Sequence, residues 1–211
     1  MITIEAMSHT KTVFPARVSF SLRLLSRNLA AIGLLFLAAA FASPAARAET
    51  AAGFMQRAST ELLAANHAQS PAAFSAAIRR YGDVPSIGMG ALGNYAGSLP
   101  KTDRPLYYNG MVNFIGRYAA KESAKYQVAK ATVLGQSEEN AAGASVETRV
   151  ELSSGESYDV RWKLVRSGSS FKIRDAEVLG FWMTPFLGTL FQNYIAENGG
   201  SSKALIMALN R

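Results

Sequence analysis

Two stretches of strict alternation, separated by a turn, limit what this chain can become. Val146, Thr148, Val150 and Leu152 alternate with Glu147, Arg149 and Glu151. After Ser153-Ser154-Gly155-Glu156 the pattern resumes, with Tyr158, Val160, Trp162 and Leu164 set against Asp159, Arg161 and Lys163. Successive side chains on a strand point to opposite faces, so a period of two spells a β-hairpin with one apolar and one charged face. On the charged face Glu147, Glu151 and Asp159 are expected to pair across strands with Arg149, Arg161 and Lys163. Ser167-Gly168-Ser169-Ser170 is a second turn, and Phe171-Lys172-Ile173-Arg174 follows it as a third strand. An apolar face that carries Trp162 needs a cover. The functional question is whether side chains or a guest fill the space beneath that cover.

Helices are available on both sides of this sheet. Residues 50–66 place Phe54, Met55, Ala58, Leu62 and Leu63 on one side of a helix. Ser70-Pro71 opens a second, with serine as cap and proline in the first turn, and Phe74, Ala77, Ile78 and Tyr81 form its stripe. Residues 83–92 make a short third helix stopped by Gly93, and residues 95–101, with Gly97 and Pro100, read as a loop. Thr102 or Asp103 caps a long helix to about residue 125, striped by Tyr107, Met111, Phe114, Ile115 and Tyr118. Residues 126–133 are a further strand, and the polar run 135–143 reads as an exposed loop. Past Phe171 the alternation slips at Asp175-Ala176, which predicts a bulge or bend. Thr184-Pro185 then starts a helix that Asn198-Gly199-Gly200 stops, and residues 202–210 form a last one. The class is α+β: helices, a four-stranded antiparallel meander, then two closing helices.

The N-terminus reads as an address. Arg17, Arg23 and Arg27 precede an apolar run over residues 29–42, and Ala46-Arg47-Ala48 is a small-x-small cleavage site, so residues 1–48 are expected to be a secretory signal peptide. That run falls short of the roughly 20 residues needed to span a bilayer. Cleavage after Ala48 leaves residues 49–211 as one domain. Of the 22 basic and 15 acidic residues, 17 and 14 remain, so the net charge drops from +7 to +3. That balance gives no reason to invoke nucleic acid. With no Cys in the chain, disulfides, thiolate metal sites and a lipid-modified cysteine are excluded.

Catalytic signatures are scarce. The exported part holds one histidine, His67, in a polar connection where a solvated surface residue is expected. No cluster has the spacing of zinc ligands, and neither a GxSxG elbow nor a Walker loop occurs. Glu138-Glu139 read as solvation. No cofactor is called for. Large apolar residues are in surplus instead, and they admit two readings: an ordinary core, or a cavity for a long apolar guest. The candidates for lining such a cavity are Ile87, Leu92, Tyr95, Met111, Phe114, Tyr118, Val150, Val160, Trp162, Phe181, Trp182 and Phe186.

The run Phe171-Lys172-Ile173-Arg174-Asp175, then Val178-Leu179-Gly180, Phe186 to Phe191, Gly199-Gly200 and Leu205 to Leu209, resembles the C-terminal half of the MlaC (toluene-tolerance) family of periplasmic phospholipid-binding proteins. Upstream, Asp83, Ile87, Leu92-Gly93, Tyr95, Arg104, Phe114 and Tyr118 fall in the order of that family's helical half. Two positions depart from it. Many relatives read Gly-Val-Ser after the last strand and carry a Tyr-Arg pair in the next helix, whereas this chain has Gly180-Phe181-Trp182 and Phe186-Leu187. A hydroxyl and a guanidinium are thus missing. The resemblance implies a nuclear-transport-factor-like fold around an apolar cavity and a periplasmic shuttle for phospholipid that maintains outer-membrane lipid asymmetry. Its partners would be an inner-membrane ABC transporter complex and an outer-membrane lipoprotein–porin complex. Relatives encoded with hopanoid pathways make a polycyclic lipid an alternative cargo. Two other readings stay open: an enzyme on the same scaffold, which would need a carboxylate or histidine in the cavity, and a non-enzymatic envelope assembly factor with a filled core.

Overall fold

The computed structural model describes residues 48–211, so the expected signal peptide lies outside the described residues up to Ala48. Side-chain caps set most helix starts. Helix α1 (Ala51–His67) begins where the Thr50 side chain accepts from the Gly53 N–H at 3.1 Å. The α2 helix (Pro71–Tyr81) begins in the same way at Ser70, which accepts from Ala73 N–H at 3.2 Å. Asp83 caps α3 (Val84–Leu92), and Gly93 at φ +52° ends it. The expected loop beyond is instead wound into 3-10 turns, Gly93–Ser98 and Lys101–Asp103, ahead of α4 (Arg104–Ser123).

Five antiparallel strands follow in the spatial order of the chain: β1 (Val128–Glu139), β2 (Gly143–Leu152), β3 (Ser157–Ser167), β4 (Ser170–Val178) and β5 (Phe181–Trp182). Helices α5 (Met183–Glu197) and α6 (Ser202–Leu209) close the chain. Three expectations are corrected. First, β1 runs through the segment read as a loop, and its turn shrinks to residues 140–142. Asn140 makes that turn alone, its Oδ1 accepting from the N–H of Ala142 and Gly143. Gly135 at φ +140° lets the strand carry the register shifts that flank it, a conformation that costs other residues dearly.

Second, the sheet gains β5, because Leu179 (φ +52°) and Gly180 (φ +83°) form a two-residue turn that folds Phe181 back onto Val178. Third, α5 starts at Met183 without a side-chain cap from Thr184. Its cap comes from β4: Asp175 Oδ1 accepts from Thr184 N–H and from Ala176 N–H, both at 2.9 Å. The expected slip in β4 is present, falling one residue early: Leu164 pairs with Ile173 and Lys163 with Asp175, which leaves Arg174 as the extra residue.

The strand register fixes which ends of the sheet coincide. The β2–β3 and β4–β5 turns and the start of β1 share one end; the β1–β2 and β3–β4 turns share the other. At the second end α1 is pinned down, with Glu49 N–H donating to Ser169 O and the Ser170 hydroxyl donating to Glu49 at 2.6 Å. There Phe54, Met55, Ala58, Ala77 and Tyr81 cover Ala144, Val146, Leu164 and Phe171. The Phe54 ring centroid lies 5.6 Å from that of Tyr81 and 6.0 Å from that of Phe171, and the Arg166 guanidinium sits over the Phe171 ring, 4.4 Å from its centroid. Among the described residues no helix is long and apolar enough to cross a membrane.

Candidate functional site

The register lays the sheet's side chains out in rows. Val133, Thr148, Val160, Val178 and Phe181 stand side by side on one face, and Val146, Trp162 and Ala176 form the neighbouring row. The opposite face holds Glu147, Arg161, Glu177 and Trp182 in one row and Thr132, Arg149 and Asp159 in another. Its ion pairs follow. Arg149 grips both Asp159 oxygens at 2.8 Å, and Arg161 donates to Glu147 at 3.3 Å and Glu177 at 2.8 Å. Arg149 holds the Asp159 carboxyl below its ordinary range. Lys130, and not Lys163, is the partner of Glu151, at 3.5 Å.

On the apolar face the residues nearest the β2–β3 turn form a cluster of their own. Val150, Leu152 and Val160 are buried, with Val128, Tyr158, Trp162, Ala176 and Val178 packed around them. Every member comes from a strand. The Trp162 indole N–H donates to the Thr148 hydroxyl at 2.8 Å, so its one polar atom is satisfied within the sheet and the ring acts as hydrocarbon. Burial pushes the Tyr158 phenol above its ordinary range.

The helices build a second, separate cluster. Leu92, Tyr107, Met111, Phe191 and Ile195 are buried there with Leu205, Ile206 and Leu209, and no strand contributes. Phe191 meets Phe114 edge-on at 5.6 Å and Tyr107 at 6.4 Å. The Tyr107 hydroxyl donates to Gly88 O at 2.8 Å, and burial keeps its phenol protonated far above the usual range. A packed α+β domain normally shows one contiguous apolar core. Here the sheet cluster and the helical cluster share no residue, while Trp162 links the sheet cluster to the core sealed under α1 and α2.

The structure thus sorts the twelve expected lining residues into groups. Leu92 and Met111 lie wholly inside the helical cluster, and Ile87, Tyr95 and Phe114 lie on its margin. Val150, Val160 and Trp162 belong to the sheet cluster. Tyr118 and Phe186 have ring centroids 6.4 Å apart and are each a little under half exposed, and Phe181, on the apolar row, is 70% exposed. Trp182 stands on the charged face, across the sheet from its neighbour. Tyr158 and Leu152, both legible from the alternation, belong to the sheet cluster, as do Val128, Ala176 and Val178. Leu179 and Leu190 are exposed; the spacing of Leu190 from Phe186, one helical turn, was the signal for the second.

Two clefts flank these clusters. One of about 560 Å³ lies at the sheet end that holds the β2–β3 turn, between residues 124–127 and Leu152, Ser153, Ser154 and Glu156. Leu152 joins it to the sheet cluster, while Lys125, Gln127 and the two serines make its wall polar. The other, about 320 Å³, lies among α2, α3 and α4 at Arg79, Val84, Tyr108 and Val112. Among the described residues no group of three or more His, Cys, Asp or Glu could hold a metal ion. His67, expected to be solvated, places Nε2 2.6 Å from Val128 O and ties α1 to β1.

The antiparallel sheet has one apolar face backed by helices, which makes this an α+β domain. The MlaC protein model matches residues 49–211, and the chain belongs to the MlaC family. Among solved structures it is similar to the phospholipid-binding protein from Ralstonia solanacearum, in complex with a phospholipid. The TM-score is 0.64 at 14% identity, over 77% of this chain and 96% of that one. At that identity the likeness is one of fold. No curated protein matches the chain.

Proposed function

We propose that this protein is a periplasmic lipid carrier, with phospholipid as its cargo. The observation that carries the reading is the pair of apolar clusters with no residue in common. Acyl chains laid between Val150, Val160 and Trp162 on one side and Phe114, Tyr118 and Phe186 on the other would join them into one core. Family membership and a phospholipid-bound neighbour of the same fold support this. So does the energetics. Two acyl chains of about 30 methylenes cost on the order of 20 kcal/mol in water at roughly 0.8 kcal/mol per methylene. A carrier has to match that burial internally, and it needs no bond made or broken. The head group belongs in the polar-walled cleft next to Leu152.

On this reading the chain shuttles lipid between an outer-membrane lipoprotein–porin complex and an inner-membrane ABC transporter, and so maintains outer-membrane lipid asymmetry. Export by cleavage after Ala48 delivers it to the periplasm. The apolar Trp182 and Phe186-Leu187, where many relatives have a serine and a Tyr-Arg pair, favour a less polar variant of the cargo such as a hopanoid as the second reading. Native mass spectrometry of protein purified from cells, with analysis of its lipid extract, tests both. Co-purifying phospholipid supports the first and a polycyclic lipid the second. A bare mass contradicts both. Trp162→Lys and Phe114→Lys variants should fold yet lose the lipid; retained lipid in both would remove these residues from the lining.

A further inference from the structure

The β4–β5 turn places two large apolar side chains where solvent surrounds them. Leu179 is 69% and Phe181 70% exposed, the most exposed of the large apolar residues described. The backbone makes this arrangement costly. Leu179 holds φ +52°, a left-handed conformation that glycine, asparagine and aspartate adopt far more readily than leucine. Strain at an exposed apolar tip is unrewarded in the lone protein, and such outliers concentrate at functional positions.

The position is specific as well. The tip stands at the sheet end that also carries the β2–β3 turn and the start of β1, beside the sheet cluster assigned to acyl chains. Tyr126, 55% exposed, is at the same end next to Lys125, an aromatic and a lysine of the kind that settle at a lipid–water boundary. Acids are there too: Glu122 pairs with Lys125 at 3.2 Å, and Glu156 lines the cleft. These three charges leave no excess of positive charge at this end, and apolar contact is the available driving force.

We propose that the Leu179–Phe181 tip inserts into the surface of a lipid bilayer and docks the open end of the sheet on the membrane. Area favours a bilayer over a protein partner. The two side chains expose on the order of 250 Å², against the roughly 800 Å² that each side of a stable protein interface buries. A small apolar point needs only a hydrocarbon layer to enter. Docking in this orientation would bring the cleft mouth to the boundary where a lipid leaves its leaflet.

The inference goes beyond the carrier reading and can fail separately from it. The test is sedimentation of the protein purified from cells with vesicles of phosphatidylethanolamine and phosphatidylglycerol, at low and high salt. Wild type should co-sediment at both. The Leu179→Asn variant, which suits the left-handed backbone better, should melt no lower than wild type. With Phe181→Ser added, partition onto vesicles should fall by at least about tenfold. A double variant that sediments like wild type, or binding abolished by salt, overturns the tip as anchor. Wild type that carries lipid yet ignores vesicles also overturns it and leaves the carrier reading standing. Wild type that binds vesicles but carries no lipid sinks the carrier reading alone.

Discussion

The two ends of the sheet's apolar face have the same strand pattern and different fates. Near the β3–β4 turn, Val146, Leu164 and Phe171 are sealed under α1 and α2, with Phe54 and Tyr81 interlocked above them. Near the β2–β3 turn, Val150, Leu152 and Val160 continue the same rows, and no helix residue joins their cluster. Alternation decides only that a face is apolar. Helix α1 is fastened by Glu49 on the β3–β4 turn and by Asn66 and His67 on the start of the edge strand β1, and its apolar residues Phe54, Met55 and Ala58 cover the first half.

The largest effect should come from the sealed half. Phe171→Ala removes a fully buried ring from beneath α1 and should cost about 3–5 kcal/mol in urea unfolding, while Val160→Ala in the other half should cost clearly less. Equal losses would erase the distinction. Next comes the polar anchor between the halves. Thr148→Val leaves the Trp162 N–H without its acceptor and should cost about 1–3 kcal/mol.

The helical cluster offers a smaller, pH-dependent test. Tyr107→Phe loses one hydrogen bond to Gly88, about 1 kcal/mol near neutrality. Burial raises the folded phenol above the unfolded value of roughly 10, so its contribution is fully present below that pH and is lost as pH rises through the folded value. The unfolding free energy of wild type should therefore fall above about pH 10, and less steeply in the variant. Tyr158 and Tyr81 are shifted the same way, so some slope remains. The smallest effect is expected on the charged face, where Asp159→Asn should leave the unfolding midpoint within error because the pair is solvent-exposed.

Most of the architecture was legible where one local signal dominated. Alternation gave β2 and β3 with their pairing, and Ser70 announced a helix start as its cap. The misses share a cause: each depends on a partner distant in sequence or on a backbone state that composition conceals. The polar segment after Gly135 becomes strand because β2 supplies the ladder. The α5 cap comes from Asp175 on β4, nine residues before the N–H it accepts. Leu179 in a left-handed turn produces β5 against its own preference. For the site, identity was more legible than placement. Val150, Val160 and Trp162 were readable as neighbours, but that Trp182 stands opposite Phe181 follows only from a turn the sequence disguised.

Photocrosslinking measures the central claim most directly. A benzophenone side chain placed at residue 160, and separately at residue 164 on the same strand and face, is irradiated in protein purified from cells, and the adducts are weighed. The account predicts a lipid adduct at 160 and none at 164. Lipid captured equally at both positions, or only beneath α1 at 164, would contradict it.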